Sequence, residues 1–206
     1  MEGEVRVWKI GKQTQVMEAS LKEHRGRVYD IQVNKSNEQA VSASADGSCI
    51  VWDMVNFTRT ICLFEKTMFK QVLYHPDEAQ VITTGSDRKI AYWDNYDGQQ
   101  IRDIEASEGE INALAFMLVF STLYITHRNK EYFLSGGEDK TLMLWKYDEG
   151  LAYYKGVGHA GHIKKIAVSP DKKFIITVGS EGAIFFWNTP EEVLAEPKTE
   201  VEVAHS

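Results

Sequence analysis

Cysteine is scarce in this sequence, since Cys49 and Cys62 are the only two among 206 residues. Two cysteines cannot form the multi-disulfide framework that stabilises many small secreted domains. The chain also does not open with a basic segment followed by an apolar one, which is the pattern of a secretory leader. We therefore expect a reducing, intracellular compartment, in which both cysteines are small buried hydrophobic residues.

Long apolar runs and an excess of positive charge are also missing. The longest apolar stretch, residues 117–126, is about half of the roughly 20 residues that a transmembrane helix needs. Acidic residues outnumber basic ones by 30 to 23, which gives a formal net charge of −7. Such a charge repels a phosphate backbone. We therefore expect neither a membrane nor a nucleic acid as a partner.

Tryptophan, in contrast, recurs at a nearly constant interval. The five tryptophans are Trp8, Trp52, Trp93, Trp145 and Trp187. Three of the four spacings are 41, 42 and 44 residues, and the remaining one is 52. A period of about 40–45 residues is typical of repeats that each form one small antiparallel sheet. The longer spacing indicates an insertion of about ten residues, which we place at 117–128.

Polar residues precede four of these tryptophans at fixed offsets. An acidic residue stands six positions earlier and a serine or threonine ten positions earlier, in the sets Ser42, Asp46 and Trp52; Thr83, Asp87 and Trp93; Ser135, Asp139 and Trp145; and Thr177, Glu181 and Trp187. Two sets also have a histidine 28 positions before the tryptophan, at His24 and His159.

This spacing predicts a buried hydrogen-bond chain that runs from the carboxylate through the histidine and the hydroxyl to the indole N–H. Buried polar groups are tolerated when they satisfy one another. A serine, a histidine and an aspartate also make up a catalytic triad. Repetition favours the structural interpretation, because an enzyme needs one nucleophile and not four.

Strand and turn signals agree with an all-β chain. A short, nearly unbroken apolar run precedes each of the last four tryptophans, as in Leu142–Leu144, and this is typical of a strand that is covered on both faces. Turn sequences such as Asp46-Gly47 and Asp97-Gly98 separate the runs. No stretch has a convincing helical period.

Two further motifs can be explained without a bound cofactor or metal. Residues 156–161 match G-x-G-x-x-G, which indicates dinucleotide binding only between a strand and a following helix, whereas a β-rich segment follows here. His159 and His162 are close in sequence, but no third metal ligand accompanies them. We therefore expect no catalytic residue, no cofactor, no metal and no small-molecule substrate.

The repeats resemble those of WD-repeat proteins. The resemblance rests on Trp52-Asp53, Trp93-Asp94 and the stretches 46–53, 87–93 and 156–159, which look like the last blades of WD-repeat proteins from motile axonemes. It implies an all-β, WD40-type β-propeller with four complete four-stranded blades and a partial N-terminal blade, within a larger or unclosed propeller. The expected segments are a partial blade at 1–22, blades at about 23–64, 65–105, 106–156 and 157–188, and a flexible acidic tail at 189–206.

The resemblance also implies a role. It predicts a non-enzymatic scaffold of the cilium or flagellum axoneme that lies inside doublet microtubules and binds tubulin and other axonemal proteins. It assigns no partner-binding residue. The alternative from another functional class is a soluble adaptor that recruits a protein partner to a complex such as a ubiquitin ligase.

Overall fold

A computed structural model describes residues 3–119 and 130–194, and these residues form short β-strands almost throughout. The first strands are β1 (Val5–Ile10), β2 (Gln15–Leu21), β3 (Val28–Val33), β4 (Gln39–Ser44), β5 (Ser48–Asp53) and β6 (Thr58–Phe64). The next are β7 (Phe69–Tyr74), β8 (Gln80–Gly85), β9 (Lys89–Asp94) and β10 (Gln100–Glu105). The last are β11 (Ile111–Val119), β12 (Lys130–Gly137), β13 (Thr141–Lys146), β14 (Leu151–Val157), β15 (Ile163–Val168), β16 (Phe174–Gly179) and β17 (Ile184–Asn188), before α1 (Glu191–Leu194).

The strands form five antiparallel sheets in sequence order. We call β3–β6 blade 1, β7–β10 blade 2, β11–β14 blade 3 and β15–β17 blade 4, and β1–β2 the N-terminal pair. Each strand pairs with the next strand in the chain, so every sheet is a simple meander. The expected all-β class and WD40-type blades are confirmed. The strand count differs in one blade, because blade 4 has three strands within the described residues and not four.

The turn after each acidic motif residue adopts the same backbone conformation in all four blades. The residues at this position are Gly47, Arg88, Lys140 and Gly182, with φ values of 85°, 66°, 64° and 83°. In blades 1, 2 and 3 the loop that contains this turn has three residues, as between Ser44 and Ser48, and such a loop is typically a type I turn followed by one residue with positive φ. The turn therefore joins the second and third strands of each blade in the same way.

The hydrophobic core lies at the junctions between successive blades. The apolar residue just before one tryptophan shares a cluster with the tryptophan of the next blade, in the pairs Val51 with Trp93, Tyr92 with Trp145 and Leu144 with Trp187. Leu21 of the N-terminal pair packs in the same way near Trp52. Both faces of an inner blade are therefore covered, which explains why its strands lack a polar face.

Two expected irregular segments begin in ordered structure. Met117 lies within β11 opposite Tyr132, so the predicted insertion at 117–128 starts inside a regular strand pair. Residues 120–129 lie outside the described residues. The predicted tail at 189–206 also begins with order, because α1 follows β17 and Val193 is buried in the core between blades 3 and 4. Residues 195–206 lie outside the described residues as well.

The two cysteines differ in environment. Cys49 is buried in the core between blades 1 and 2, as expected, whereas Cys62 is exposed. The strand register explains this difference, because Cys49 pairs with Leu63 and Cys62 pairs with Ile50, on the other face of the sheet. Burial raises the pKa of the Cys49 thiol well above its usual value. Within the described residues, no helix is long and apolar enough to cross a membrane.

Candidate functional site

Blade 1 contains the full set of polar residues that the sequence motif singles out. The indole Nε1 of Trp52 donates to Ser42 Oγ at 2.8 Å, and Ser42 Oγ lies 2.7 Å from His24 Nε2. The other ring nitrogen, Nδ1, lies 3.3 Å from Asp46 Oδ2 and 2.9 Å from Ser48 Oγ. The structure therefore places Ser42 between the histidine and the indole, in the order expected from the sequence.

The acceptor role of Ser42 favours one arrangement of protons in this hydrogen-bond chain. Because Ser42 Oγ accepts from the indole, its own proton is available for His24 Nε2, and Nδ1 then carries the ring proton toward Asp46 and Ser48. Burial lowers the pKa of His24, which favours the neutral ring. Burial raises the pKa of Asp46, but hydrogen bonds from Ser48 and the Arg25 backbone outweigh it and bring the pKa to about 2. A neutral histidine therefore faces an ionised carboxylate.

Blade 4 has the same arrangement with threonine and glutamate. Trp187 Nε1 donates to Thr177 Oγ1 at 2.8 Å, and Thr177 Oγ1 lies 2.6 Å from His159 Nε2. Nδ1 of His159 lies 2.5 Å from Glu181 Oε1. The hydrogen bond from His159 is the main cause that lowers the pKa of Glu181. The longer glutamate thus lies closer to its histidine than Asp46 does in blade 1.

Blades 2 and 3 have only part of this hydrogen-bond chain. Trp93 Nε1 donates to Thr83 Oγ1 and Trp145 Nε1 donates to Ser135 Oγ, both at 2.8 Å. Within the described residues neither hydroxyl contacts a histidine, since the position equivalent to His24 holds Glu65 in blade 2 and Ser107 in blade 3. Their acidic residues serve the turn instead: the carboxylates of Asp87 and Asp139 accept backbone N–H groups two residues on. In blades 2 and 3 the motif residues therefore form two separate contacts: the indole–hydroxyl bond, and the bond from the carboxylate to the turn.

Three hydroxyl residues support these turns without belonging to the motif. Ser48 donates to Asp46 at 2.6 Å, and Ser107 donates to Asp139 at 2.8 Å. In blade 2 the hydroxyl of Thr67 accepts from the backbone N–H of Asp87 at 3.1 Å. Sequence reasoning missed all three. For Ser107 a signal was present, because it stands where a histidine would after subtraction of the ten extra residues.

The glycines of the G-x-G-x-x-G match have a packing role. A Cβ atom at Gly156 or Gly158 would lie 3.1 or 3.3 Å from the ring of Trp187, so both glycines make room for the indole. The segment that follows is β15 and not a helix. The arrangement therefore does not place a phosphate at a helix N-terminus, which the dinucleotide fingerprint requires.

The two neighbouring histidines point to different partners. His159 is buried and bonded within blade 4, whereas His162 is partly exposed with its Nδ1 3.9 Å from Glu138 Oε1. Across residues 3–119 and 130–194, no group of three or more His, Cys, Asp or Glu side chains is arranged to hold a metal ion.

Successive antiparallel sheets, packed face to face and braced by a repeated hydroxyl–indole contact, define a protein of the β-propeller blade class. The family model described as "WD domain, G-beta repeat" matches residues 15–53, 98–146 and 153–188. The chain belongs to this family of WD-repeat proteins. Most of blade 2 lies outside the matched ranges, although its geometry is that of its neighbours.

Three proteins similar to this chain, from an alga and two primates, have the same name. The chain is 50% identical over 184 residues to cilia- and flagella-associated protein 52 of Chlamydomonas reinhardtii, which covers 89% of this chain and 28% of the relative. It is 46% identical to the Macaca fascicularis protein of that name over 92% of this chain and 32% of the relative. The human protein is 45% identical over 92% of this chain and 29% of its own length. The chain thus spans about a third of these relatives.

Proposed function

We propose that this chain is a non-enzymatic, protein-binding scaffold of cilia or flagella. The observation that carries the proposal is the identity of 45–50% over about nine tenths of the chain to proteins described as cilia- and flagella-associated. The matched region spans 184–190 residues of this chain. Function does not follow from the propeller fold alone.

The polar network supports the non-enzymatic part of the proposal. In blades 1 and 4 the hydroxyl that would serve as a nucleophile already accepts from an indole N–H at 2.8 Å, and it is buried with its histidine. A nucleophile must instead reach a substrate. The serine or threonine, the histidine and the carboxylate therefore hold the strands of a blade together.

The finer part of the proposal concerns place and partners. We propose that the chain lies in axonemal doublet microtubules as a microtubule inner protein and contacts tubulin and neighbouring luminal proteins through its rims and exposed strands. Exposed apolar residues, such as Tyr96 at 93% and Ile10 at 83%, are available for such contacts. Exposed apolar surface is typical of interaction sites when it is contiguous.

Fractionation of isolated cilia or flagella tests this proposal. We expect the protein to stay with the doublet microtubules after detergent and high salt, while a soluble matrix protein in the same preparation washes out. Release with the soluble matrix would contradict the luminal scaffold. That result would favour the soluble adaptor, and the proteins that co-purify with the released fraction would then identify its complex.

A further inference from the structure

A cavity of about 130 Å³ lies in blade 2, and we call it the blade 2 cavity. Four of its lining residues stand 28, 10, 6 and 4 positions before Trp93, and they are Glu65, Thr83, Asp87 and Lys89. The residues at the same offsets from Trp52 form the histidine bridge of blade 1, and they are His24, Ser42, Asp46 and Ser48. The cavity therefore corresponds to the place where blade 1 holds an imidazole ring.

The charged residues of the lining do not take over the task of that ring. Glu65 Oε1 accepts the backbone N–H of Lys66 at 3.0 Å, so this carboxylate is bonded within its own loop. An ionised carboxylate also has no proton to donate to Asp87. Lys89 Nζ donates to Asp103 at 2.6 Å. Glu65 and Lys89 are therefore engaged with other groups.

Thr83 and Asp87 retain bonding capacity at the cavity. Thr83 is 1% exposed, and its Oγ1 accepts from the indole of Trp93, so its own proton remains available to an acceptor. No acceptor for this proton lies within residues 3–119 and 130–194. The side chain of Asp87 accepts the backbone N–H of Lys89 at 3.3 Å, which leaves one carboxylate oxygen able to accept. The cavity is therefore lined by a hydroxyl donor and a carboxylate acceptor.

The size and access of the cavity suit a small ring. Phe69 and Ala91 of the lining are buried, whereas Lys66 and Gln100 are exposed, so the cavity opens from the core of blade 2 to the surface. The ring of Phe69 meets Trp93 edge-on with centroids 6.4 Å apart and supplies an aromatic wall. An apolar cavity of about 150 Å³ admits a benzene ring. A five-membered ring therefore fits a space of this size.

We propose that the blade 2 cavity binds a neutral imidazole group, which accepts from Thr83 through one ring nitrogen and donates to Asp87 through the other. The group comes from a small imidazole compound or from a histidine side chain of a partner protein. An ammonium group pairs with Asp87 but cannot accept from Thr83, and a carboxylate accepts from Thr83 but cannot donate to Asp87. The inference goes beyond the proposed scaffold function and does not depend on it.

Thermal unfolding of the 206-residue chain with increasing imidazole tests the proposal. The measurement is made at about pH 8, where the ring is mostly neutral because imidazole side chains titrate near pH 6.5. The melting temperature should rise by about 3 °C or more when imidazole is at about ten times its dissociation constant. The matched probe is 1-methylimidazole, which accepts a hydrogen bond but has no N–H. It should bind about tenfold more weakly, because the bond to a charged acceptor is lost.

Glu65→His tests the same site from within the chain. The substitution supplies the ring at the position that His24 occupies in blade 1, so it should raise the melting temperature by about 2 °C or more without imidazole. It should also abolish the response to imidazole. The matched control is Glu18→His, which makes the same change at an exposed position of β2 outside the cavity lining. This control should respond to imidazole as the unmodified chain does.

Three outcomes would overturn the proposal: no rise in melting temperature of the unmodified chain, an equal rise with 1-methylimidazole, or a full response to imidazole in Glu65→His. A blocked Gly-His-Gly tripeptide distinguishes the two sources of the ring. Binding of the tripeptide at least as tight as that of imidazole assigns the site to a partner's histidine. Binding of imidazole without the tripeptide assigns it to a small molecule, and both results support the site whether or not the protein stays on doublet microtubules.

Discussion

Blades 1 and 4 differ from blades 2 and 3 in how they use the same motif. All four join an indole N–H to a buried hydroxyl at 2.8 Å. Among residues 3–119 and 130–194, only blades 1 and 4 extend the contact through a histidine to a carboxylate, by means of His24 and His159. The indole–hydroxyl bond is thus the constant part of the blade, and the histidine bridge is an addition in two of the four blades.

The turns differ in the same way. Blades 1 and 4 have glycine after the acidic residue, whereas blades 2 and 3 have Arg88 and Lys140 at φ near 65°. A residue with a Cβ is strained in this left-handed conformation, by roughly 1–2 kcal/mol. Blades 2 and 3 therefore hold the same turn in spite of an unfavourable residue, and other contacts must compensate for it.

Aromatic contacts are numerous at the junction of blades 2 and 3. The ring of Phe133 stacks on Trp145 with centroids 6.0 Å apart, and Tyr92 meets Phe133 edge-on at 6.2 Å. The guanidinium of Arg102 lies 4.2 Å from the centre of the Tyr92 ring and donates to the Asp148 carbonyl at 2.8 Å. The same blade geometry therefore forms with a histidine bridge in blades 1 and 4, and with a cluster of aromatic rings at the junction of blades 2 and 3.

Trp93→Ala should have the largest effect, because blade 2 relies on packing. The side chain is 4% exposed and shares the core between blades 1 and 2. Loss of such a ring should lower the free energy of unfolding by about 3–5 kcal/mol, as measured by urea denaturation. Trp8→Ala is the control, since this side chain is 47% exposed and its removal should cost under about 1 kcal/mol. A similar small loss for Trp93→Ala would contradict the packing of blade 2.

Ser42→Ala and Ser135→Ala compare the two kinds of blade directly. Both serines are buried, at 0% and 2% exposure, and both accept from an indole N–H. Ser42→Ala also leaves Nε2 of His24 without its donor, so two buried groups lose a partner and not one. An unsatisfied buried group costs about 1–3 kcal/mol. We expect Ser42→Ala to be more destabilising by about 1 kcal/mol or more in urea denaturation, and equal losses would show that the bridge adds nothing.

The histidine bridge of blade 1 should also determine how the stability of the chain changes with pH. Because burial lowers the pKa of His24 below its ordinary value of 6.5, the unfolded chain binds more protons at mildly acidic pH. Stability from this group is therefore present above about pH 6.5 and decreases as the pH falls through the folded-state pKa. Asp46, with its pKa near 2 in place of 3.8, adds a second loss between those two values.

His24→Gln separates these two losses. In thermal melts at several pH values, the variant should lose less stability than the unmodified chain between pH 7 and pH 5, and it should still lose stability below pH 4. The comparison concerns the shape of the two curves, since the substitution also lowers stability at neutral pH. Identical slopes between pH 7 and pH 5 would mean that His24 does not govern this range.

The blades and the contacts of their polar residues were predictable because they depend on residues that are close together in the sequence. A strand, a three-residue loop and a second strand bring Ser42 opposite Ile50 and so place it beside Trp52, whatever the rest of the molecule does. The partial use of the motif in blades 2 and 3 was predictable too, because His24 and His159 alone stand 28 positions before a tryptophan. The contributions of Thr67 and Ser107 to the turns of those blades were not, because no repeated offset singles these residues out.

The amino-acid sequence by itself determined the repeat period, the all-β class, and the hydroxyl–indole contact within each blade, because all three follow from spacing along one chain. Only the tertiary structure decided which faces are buried and which side chains of different blades meet. The charge of Lys165 in blade 4 opposes the burial that raises the pKa of Asp30 in blade 1, and this contact follows from the packing of the first strands of four separate blades. Contacts between residues more than a hundred positions apart depend on the angles between blades, and these angles are set by how complete side chains fill each junction.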